Sequence, residues 1–230
     1  MTPRTDAPRT VRPVRPSKPA RPKASAKGAR KPDVQRHLVE AGALLEGHFL
    51  LSSGLHSDKY LQAALLLADP KLATEMGKSL AVLQDEAPDA VVSPAVGGIV
   101  IGQEVARALK AKKAFFAERV EGALTLRRGF RLLPGEKVVV VEDVITTGRS
   151  AREIVTLARS WGAKPLAVLA VAVRSQKDPD FGVPLKTLLR LPLVVYKPEA
   201  CPLCRKGLPL VKPGSREFRK MADEARKGAS

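Results

Sequence analysis

The sequence predicts an α/β protein built on a doubly wound, mainly parallel sheet, and three observations carry that prediction. Continuous apolar runs at residues 90–93, 138–141 and 166–173 have the length and β-branched content of strands buried on both faces. Segments with helical spacing of apolar residues alternate with these runs, as a chain of βαβ units requires. Each run then ends in glycines, hydroxyls or charges, which is where such sheets bind ligands, beyond the carboxyl ends of the strands.

Taken in order, Asp33 has the character of a helix N-cap. Val34, Leu38, Val39, Leu44 and Leu45 give a helical stripe expected to run to about Gly47. Two extended segments, 48–52 and 59–67, are expected around the polar turn 53–57. Asp69-Pro70 starts a helix with proline at its first position, and Leu72, Met76, Leu80 and Leu83 form one face. The strand at 90–93 turns through Pro94-Ala95-Val96-Gly97-Gly98 into a helix reaching about Leu109. Residues 113–118 read as a strand, and 125–131 as an arm or loop returning to the central strand at 138–141. Ser150 with Glu153 three residues later has capping-box spacing, so the next helix is expected to begin at Ser150, and Gly162 and Pro165 end it. The strand at 166–173 follows, and 188–196 is expected as a final strand, placed at a sheet edge by Pro192.

The chemistry concentrates after the strand at 138–141. Glu142 and Asp143 precede Val144, Ile145, Thr146, Thr147, Gly148, Arg149 and Ser150, a strand–loop–helix that offers free N–H groups and a positive dipole end to an anion. The spacing is neither G-x-x-x-x-G-K-[ST] nor G-x-G-x-x-G. Two carboxylates beside a phosphate would repel it, so they must serve sugar hydroxyls or a metal ion. A ligand carrying both a phosphate and a ribose diol satisfies both halves of the loop.

Net charge is +17, distributed unevenly. Residues 1–32 hold ten Lys or Arg against Asp6 alone, so +9 sits there and +8 in the rest. Seven prolines and almost no large apolar side chain mark this stretch as a disordered basic tail. Residues 33–214 then form the folded domain, and 215–230 a basic C-terminal tail. Nucleic acid is expected to bind weakly through the tail at most, because aromatics are only 4% of residues and stacking platforms are scarce. The chain has no 18-residue apolar run and no apolar signal region near its start, and prolines interrupt any amphipathic transit helix. No membrane association and a cytoplasmic location are expected. Cys201 and Cys204 form a single C-x-x-C, half of a zinc site, while His37, His48 and His56 lie far away in sequence. They read as two ordinary cysteines in a turn, and no protein metal ligand is assigned.

Two acids after an apolar strand, followed by Thr-Thr-Gly-x-Ser, resemble the phosphoribosyl-diphosphate signature of type I phosphoribosyltransferases. The resemblance implies that Glu142 and Asp143 hold the ribose diol and that Thr146 through Ser150 cradle the 5-phosphate. Within that family, His48-Phe-Leu-Leu-Ser-Ser-Gly-Leu-His-Ser57 is similar to the N-terminal hood segment of orotate phosphoribosyltransferases, and Ser93-Pro-Ala-Val-Gly-Gly-Ile99 to their diphosphate loop. Arg174 and Thr146 match the residues that contact orotate. A carboxylate-bearing base needs a cation or oriented donors, and the fork of Arg174 supplies them. The resemblance further implies Mg2+ held mainly by the substrate, a homodimer, and a mobile loop covering the partner subunit's site.

That loop departs from the familiar lysine-bearing pattern. Residues 118–129 contain no lysine, so Arg119, Arg127 and Arg128 must supply the cations, beside Asp143 as the remaining catalytic residue. Arginine clamps phosphate bidentately but does not give up its proton, so electrostatic support is the role open to it. The expected activity is transfer of ribose 5-phosphate from phosphoribosyl diphosphate to orotate. Two alternatives stay open at this point: a purine phosphoribosyltransferase of the same fold, and a nucleic-acid-binding regulator that keeps the phosphoribosyl site as a sensor.

Overall fold

The computed structural model describes residues 11–13, 33–51 and 53–213, with side chains from residue 33 onward. Most of the expected basic tail at 1–32, and all of the C-terminal tail at 215–230, lie outside the described residues. Val11–Pro13 is the exception. It forms a short strand, β1, where a disordered segment was expected.

The chain divides into two compact units. Of the described residues, one contains β1, 36–51, 53–62 and 193–213, and the other contains 33–35 and 63–192.

The smaller unit is built on an antiparallel sheet of order β1-β2-β3-β10, with β2 at Leu44–Leu50, β3 at His56–Leu61 and β10 at Val195–Tyr196. Helix α1, Val34–Glu40, precedes it and ends well before Gly47. Gly42 takes φ 64°, and the N–H groups of Ala43 and Gly42 donate to Leu38 and Val39 at 2.7 and 3.0 Å. This is a Schellman stop, and it needs the left-handed conformation that glycine adopts without strain. Leu44 and Leu45, expected on the helical stripe, are therefore strand residues. A bulge between Glu46 and Phe49 breaks the β2–β3 register. The last described segment, with a 3-10 turn at Pro198–Ala200, returns to β2, where Leu50 donates to Val211 and Val211 to His48.

The larger unit is the doubly wound sheet. Its order is β6-β5-β4-β7-β8-β9, with β4 at Ala90–Pro94, β5 at Lys113–Val120, β6 at Ala123–Leu126, β7 at Lys137–Ile145, β8 at Lys164–Val173 and β9 at Leu185–Arg190. All neighbours are parallel except β5–β6. Val138–Val141 and Val168–Val173 are buried throughout, because helices cover both faces. Helix α5, Arg149–Ser160, packs Ile154, Val155 and Ala158 on the face carrying Val92, Val138, Val140 and Ala170. Helix α4, Gly98–Leu109, lies on the face of Val91 and Ser93, where Gly102 admits no side chain: a Cβ there would fall 2.6 Å from Ser93 Oγ. Helix α3, Pro70–Val82, packs on α4 and is capped as expected by Asp69, whose carboxylate accepts from Lys71 N–H at 2.8 Å.

Two further expectations need correction. Residues 63–67 form a short helix, α2, and not the end of a strand. Alanine and leucine are the strongest helix formers, and no β-branched residue opposes them. The expected strand at 188–196 is two strands in different sheets. Pro192 falls between them, after Leu191 N–H donates to Val173 as the last bond of the β9 edge.

Candidate active site

The loop between β7 and α5 is the centre of the larger unit's chemistry. None of the backbone hydrogen bonds of the described residues uses the N–H of Thr147, Gly148 or Ser150. A cavity of about 90 Å³ opens there, lined by Glu142, Thr146, Thr147, Gly148, Arg149 and Ser150 among others. Gly148 sits at φ 74°, and a Cβ on it would come within 2.9 Å of the Phe181 ring and 2.8 Å of Pro179. Both the backbone and the space therefore demand glycine. A larger open groove of about 560 Å³ runs along α5 and β6, yet Arg149 is its single residue from the loop. The small cavity, with its unpaired amides and the positive end of a three-turn helix, is the one suited to a phosphate.

The helix begins one residue earlier than expected. Gly148 is the N-cap, without a side-chain cap bond, and Ser150 is already helical. Glu153 does not close a capping box. It grips Arg149 Nε at 2.8 Å and Arg119 Nη1 at 3.0 Å. The guanidinium groups outcompete the N-cap amide for this carboxylate because a charge-assisted bond is the stronger one.

Glu142 and Asp143 end β7 side by side. Glu142 is only 9% exposed. Burial, then the neighbouring charge and hydrogen bond of Asp143, push its carboxyl up to about 9. Burial also raises Asp143, against bonds from its own backbone surroundings and from Glu142 that hold it down. Two like charges so close disfavour ionising both, and Glu142 is the one held protonated at neutral pH. The 94–98 turn closes on these acids. The Ala95–Val96 peptide is cis, and a Cβ at Gly97 would lie 2.7 Å from Asp143 Oδ2. The loop after β4 thus meets the acid pair backbone-first.

The other expected residues divide into two groups. Arg174 N–H donates to Ile145 O at 2.9 Å, fixing its backbone beside the start of the phosphate loop and one residue from Thr146. Arg119, Arg127 and Arg128 belong to the β5–β6 region. Residues 123–126, of which 125 and 126 belong to the expected arm at 125–131, form a return strand, joined to β5 by a tight turn with φ 48° at Glu121 and 87° at Gly122, the two positive values of a hairpin turn. Arg119 donates to Gly122 O across this turn. Arg128 clamps Glu118 with two bonds of 2.9 Å and lies over the Phe116 ring at 5.6 Å, holding the Glu118 carboxyl below its usual range. Arg127 is exposed, and its side chain makes no hydrogen bond or ion pair with any described residue. Phe130 stacks on Phe115 with centroids 4.6 Å apart and anchors the chain beyond Gly129.

In the smaller unit, His48 and His56 are buried, and the structure sets them against Cys201 and Cys204. The cysteines are not simply turn residues, and the histidines are not distant. The β2–β3 pairing brings the two rings together: Leu50 pairs with His56, and His48, within the bulge between Glu46 and Phe49, meets the His56 ring with centroids 4.8 Å apart.

Comparison with known proteins adds to this geometry. Residues 66–184 match the phosphoribosyl transferase domain family. The orotate phosphoribosyltransferase of Carboxydothermus hydrogenoformans is 52% identical over 188 residues, covering 80% of this chain and 98% of that protein. The orotate phosphoribosyltransferase of Thermotoga maritima is 49% identical over 184 residues, again 80% and 98%. Among solved structures, orotate phosphoribosyltransferase from Aeropyrum pernix superposes with a TM-score of 0.55 at 28% identity, covering 68% of this chain and 92% of that one. The Mycobacterium tuberculosis enzyme of the same name, at TM-score 0.56 and 21% identity over 70% and 97%, shares the fold.

Proposed function

The chain belongs to the orotate phosphoribosyltransferase family, and from that premise we propose that it joins orotate to phosphoribosyl diphosphate, releasing diphosphate and orotidine 5-monophosphate. The single observation that carries the site assignment is the Glu142–Asp143 pair, the first buried and the second half-buried, running directly into a loop of unpaired amides. The amides of 146–150 and the N-terminus of α5 hold the 5-phosphate. The acid pair accepts from the ribose 2- and 3-hydroxyls and fixes the anomeric carbon. Arg174 and Thr146 hold orotate, and the 94–98 turn receives the diphosphate beside Asp143.

Bond breaking at the anomeric carbon passes through an oxocarbenium-like state, so the protein works by positioning and by supporting charge on the departing group. Arg119, Arg127 and Arg128 provide that support without donating a proton. The buried carboxylates and the turn beside them fit a magnesium–diphosphate complex. Magnesium, held mainly by substrate oxygens, offsets the diphosphate's negative charge when bound. The active species is a homodimer in which the arginine-bearing hairpin covers the partner subunit's site. It works in the cytoplasm, where thiols such as Cys201 and Cys204 stay reduced. Among the described residues, no helix is long and apolar enough to cross a membrane.

Arg174→Ala tests the choice of base. KM for orotate is expected to rise ~30-fold or more, the value of a charge-assisted pair in a closed pocket, with KM for phosphoribosyl diphosphate changed far less. Equal losses on both substrates would show that the Arg174 side chain is structural and holds no orotate. Deletion of residues 1–32 is expected to leave turnover within about twofold, because every proposed site residue lies between 94 and 174. Any binding of the full chain to DNA should fade steeply with salt and vanish with the tail. Salt-resistant DNA binding by the truncated chain would instead favour a regulator.

A further inference from the structure

His48, His56, Cys201 and Cys204 stand outside the phosphoribosyl chemistry, and all four come from the smaller unit. Their ligand atoms lie within 4.8 Å of one another. His48 Nε2 is 2.9 Å from His56 Nδ1, 3.5 Å from Cys201 Sγ and 3.7 Å from Cys204 Sγ; Cys204 Sγ is 3.3 Å from His56 Nδ1. No arrangement of ordinary hydrogen bonds accounts for this convergence. Leu208 O, which can only accept, sits 2.9 Å from His48 Nδ1, so that nitrogen carries the proton. His48 Nε2 then offers a single lone pair, and an imidazole and two thiols all crowd against it. One of them can donate to it. If His56 donates, both thiols are left without a ring nitrogen to accept from them; if Cys201 donates, Cys204 can turn to His56 Nδ1 at 3.3 Å, but two bare ring nitrogens then face each other at 2.9 Å.

A cation at the centre resolves the crowding. Bonds of ~2.0–2.1 Å to nitrogen and ~2.3 Å to sulfur, at tetrahedral angles, place nitrogen and sulfur ligands about 3.5 Å apart. The three observed N···S separations are 3.3, 3.5 and 3.7 Å. We propose that His48, His56, Cys201 and Cys204 form a tetrahedral zinc site. Two thiolates and two neutral imidazoles are the donor set that zinc prefers over magnesium or calcium, and the two positive charges balance the two thiolates. The two thiol protons leave to solvent on binding. The bond from His48 Nδ1 to Leu208 O is the outer contact that orients a ligating imidazole.

With all four positions filled by protein, the site is structural and leaves no opening for a substrate. Its place explains its use. His48 and His56 lie on the β2–β3 hairpin, while Cys201 is the N-cap of the four-residue helix α6, Pro202–Arg205, and Cys204 lies within it, well over 100 residues later. Metal would clip the returning C-terminal segment to the hairpin in a unit with a small apolar core of its own, the situation in which staples matter most.

The test uses the untagged full chain under reductant. After exposure to zinc and dialysis, metal analysis should find about one zinc per chain. Cobalt substitution should give the intense visible bands of tetrahedral cobalt with a thiolate charge-transfer band in the near ultraviolet. That band separates this site from metal held by Glu142 and Asp143, which offer only oxygen. Cys204→Ser, at an exposed position, should lower zinc affinity at least tenfold and weaken the thiolate band. A wild-type chain that retains no zinc, cobalt that binds without the thiolate band, or undiminished zinc in Cys201→Ser/Cys204→Ser would each overturn the proposal. The wild-type cobalt spectrum decides even where a variant fails to fold.

Discussion

Glu142→Gln and Asp143→Asn are each expected to cut turnover ~100-fold or more while making the empty protein melt higher above neutral pH. The two effects share one cause. Burial and the charge of Asp143 hold the Glu142 carboxyl near 9, well above its ordinary 4.5. The folded protein therefore binds a proton that the unfolded chain releases. This contribution to stability is fully present below about pH 4.5 and is lost as pH rises through about 9. Glu142→Gln removes that loss, which is worth on the order of a few kcal/mol at pH 8 and shifts the melting temperature by several degrees, whereas Asp143→Asn removes only the part due to its own charge and hydrogen bond and shifts it less. Substrate reverses the sign. Hydroxyl donors and a magnesium-bound diphosphate favour the ionised pair, so binding should release a proton and tighten as pH rises toward 9. Calorimetry in two buffers of different ionisation heat reads that proton directly. Proton uptake on binding, or an unchanged rate in Asp143→Asn, would remove the acid pair from its assigned role.

The second large effect belongs to the hairpin arginines. Arg127→Ala/Arg128→Ala is expected to depress kcat ~100-fold with a smaller change in the affinity for phosphoribosyl diphosphate, because the cations act on charge that develops as the bond breaks. The structure separates the two residues. Arg128 must give up its two bonds to Glu118 before it can serve a diphosphate, whereas Arg127 has no such partner among the described residues. Arg127→Ala alone should therefore cost at least as much as Arg128→Ala alone. If the hairpin covers the partner subunit, mixing the double variant with Asp143→Asn should restore about a quarter of wild-type activity after random exchange, since half the dimers then carry one intact site of two. Exchange is first shown by a tagged pull-down. No recovery after proven exchange would assign the hairpin to its own subunit.

The parallel sheet was legible because its strands are buried on both faces, which leaves a continuous apolar signature at 138–141 and 166–173. The turn from β7 into α5 was legible for a related reason: glycine and hydroxyls at 146–150 separate the apolar run from the next helical stripe. The errors arose where local signals competed. Leu44 and Leu45 continue the stripe of α1 by spacing, but Ala41-Gly42 had already marked the stop. Glu153 has the right distance from Ser150 for a cap, yet two arginines nearby in space claim it. Pro192 was read as a mark within one strand although it separates two. The His48–His56–Cys201–Cys204 cluster was hidden for a different reason. Its halves lie about 150 residues apart, and only the pairing of β2 with β3 and the return of the C-terminal segment bring them together.

The most direct test of the central assignment offers the purified chain phosphoribosyl diphosphate, magnesium and, separately, orotate, uracil, adenine, hypoxanthine and guanine, and measures nucleotide and diphosphate together. The structure and the relatives predict stoichiometric orotidine 5-monophosphate and diphosphate from orotate, with at least ~100-fold lower kcat/KM for every base that lacks the carboxylate, because such a base forms no charge-assisted bond with Arg174. Comparable turnover of a purine, or diphosphate release with no dependence on orotate, would contradict it.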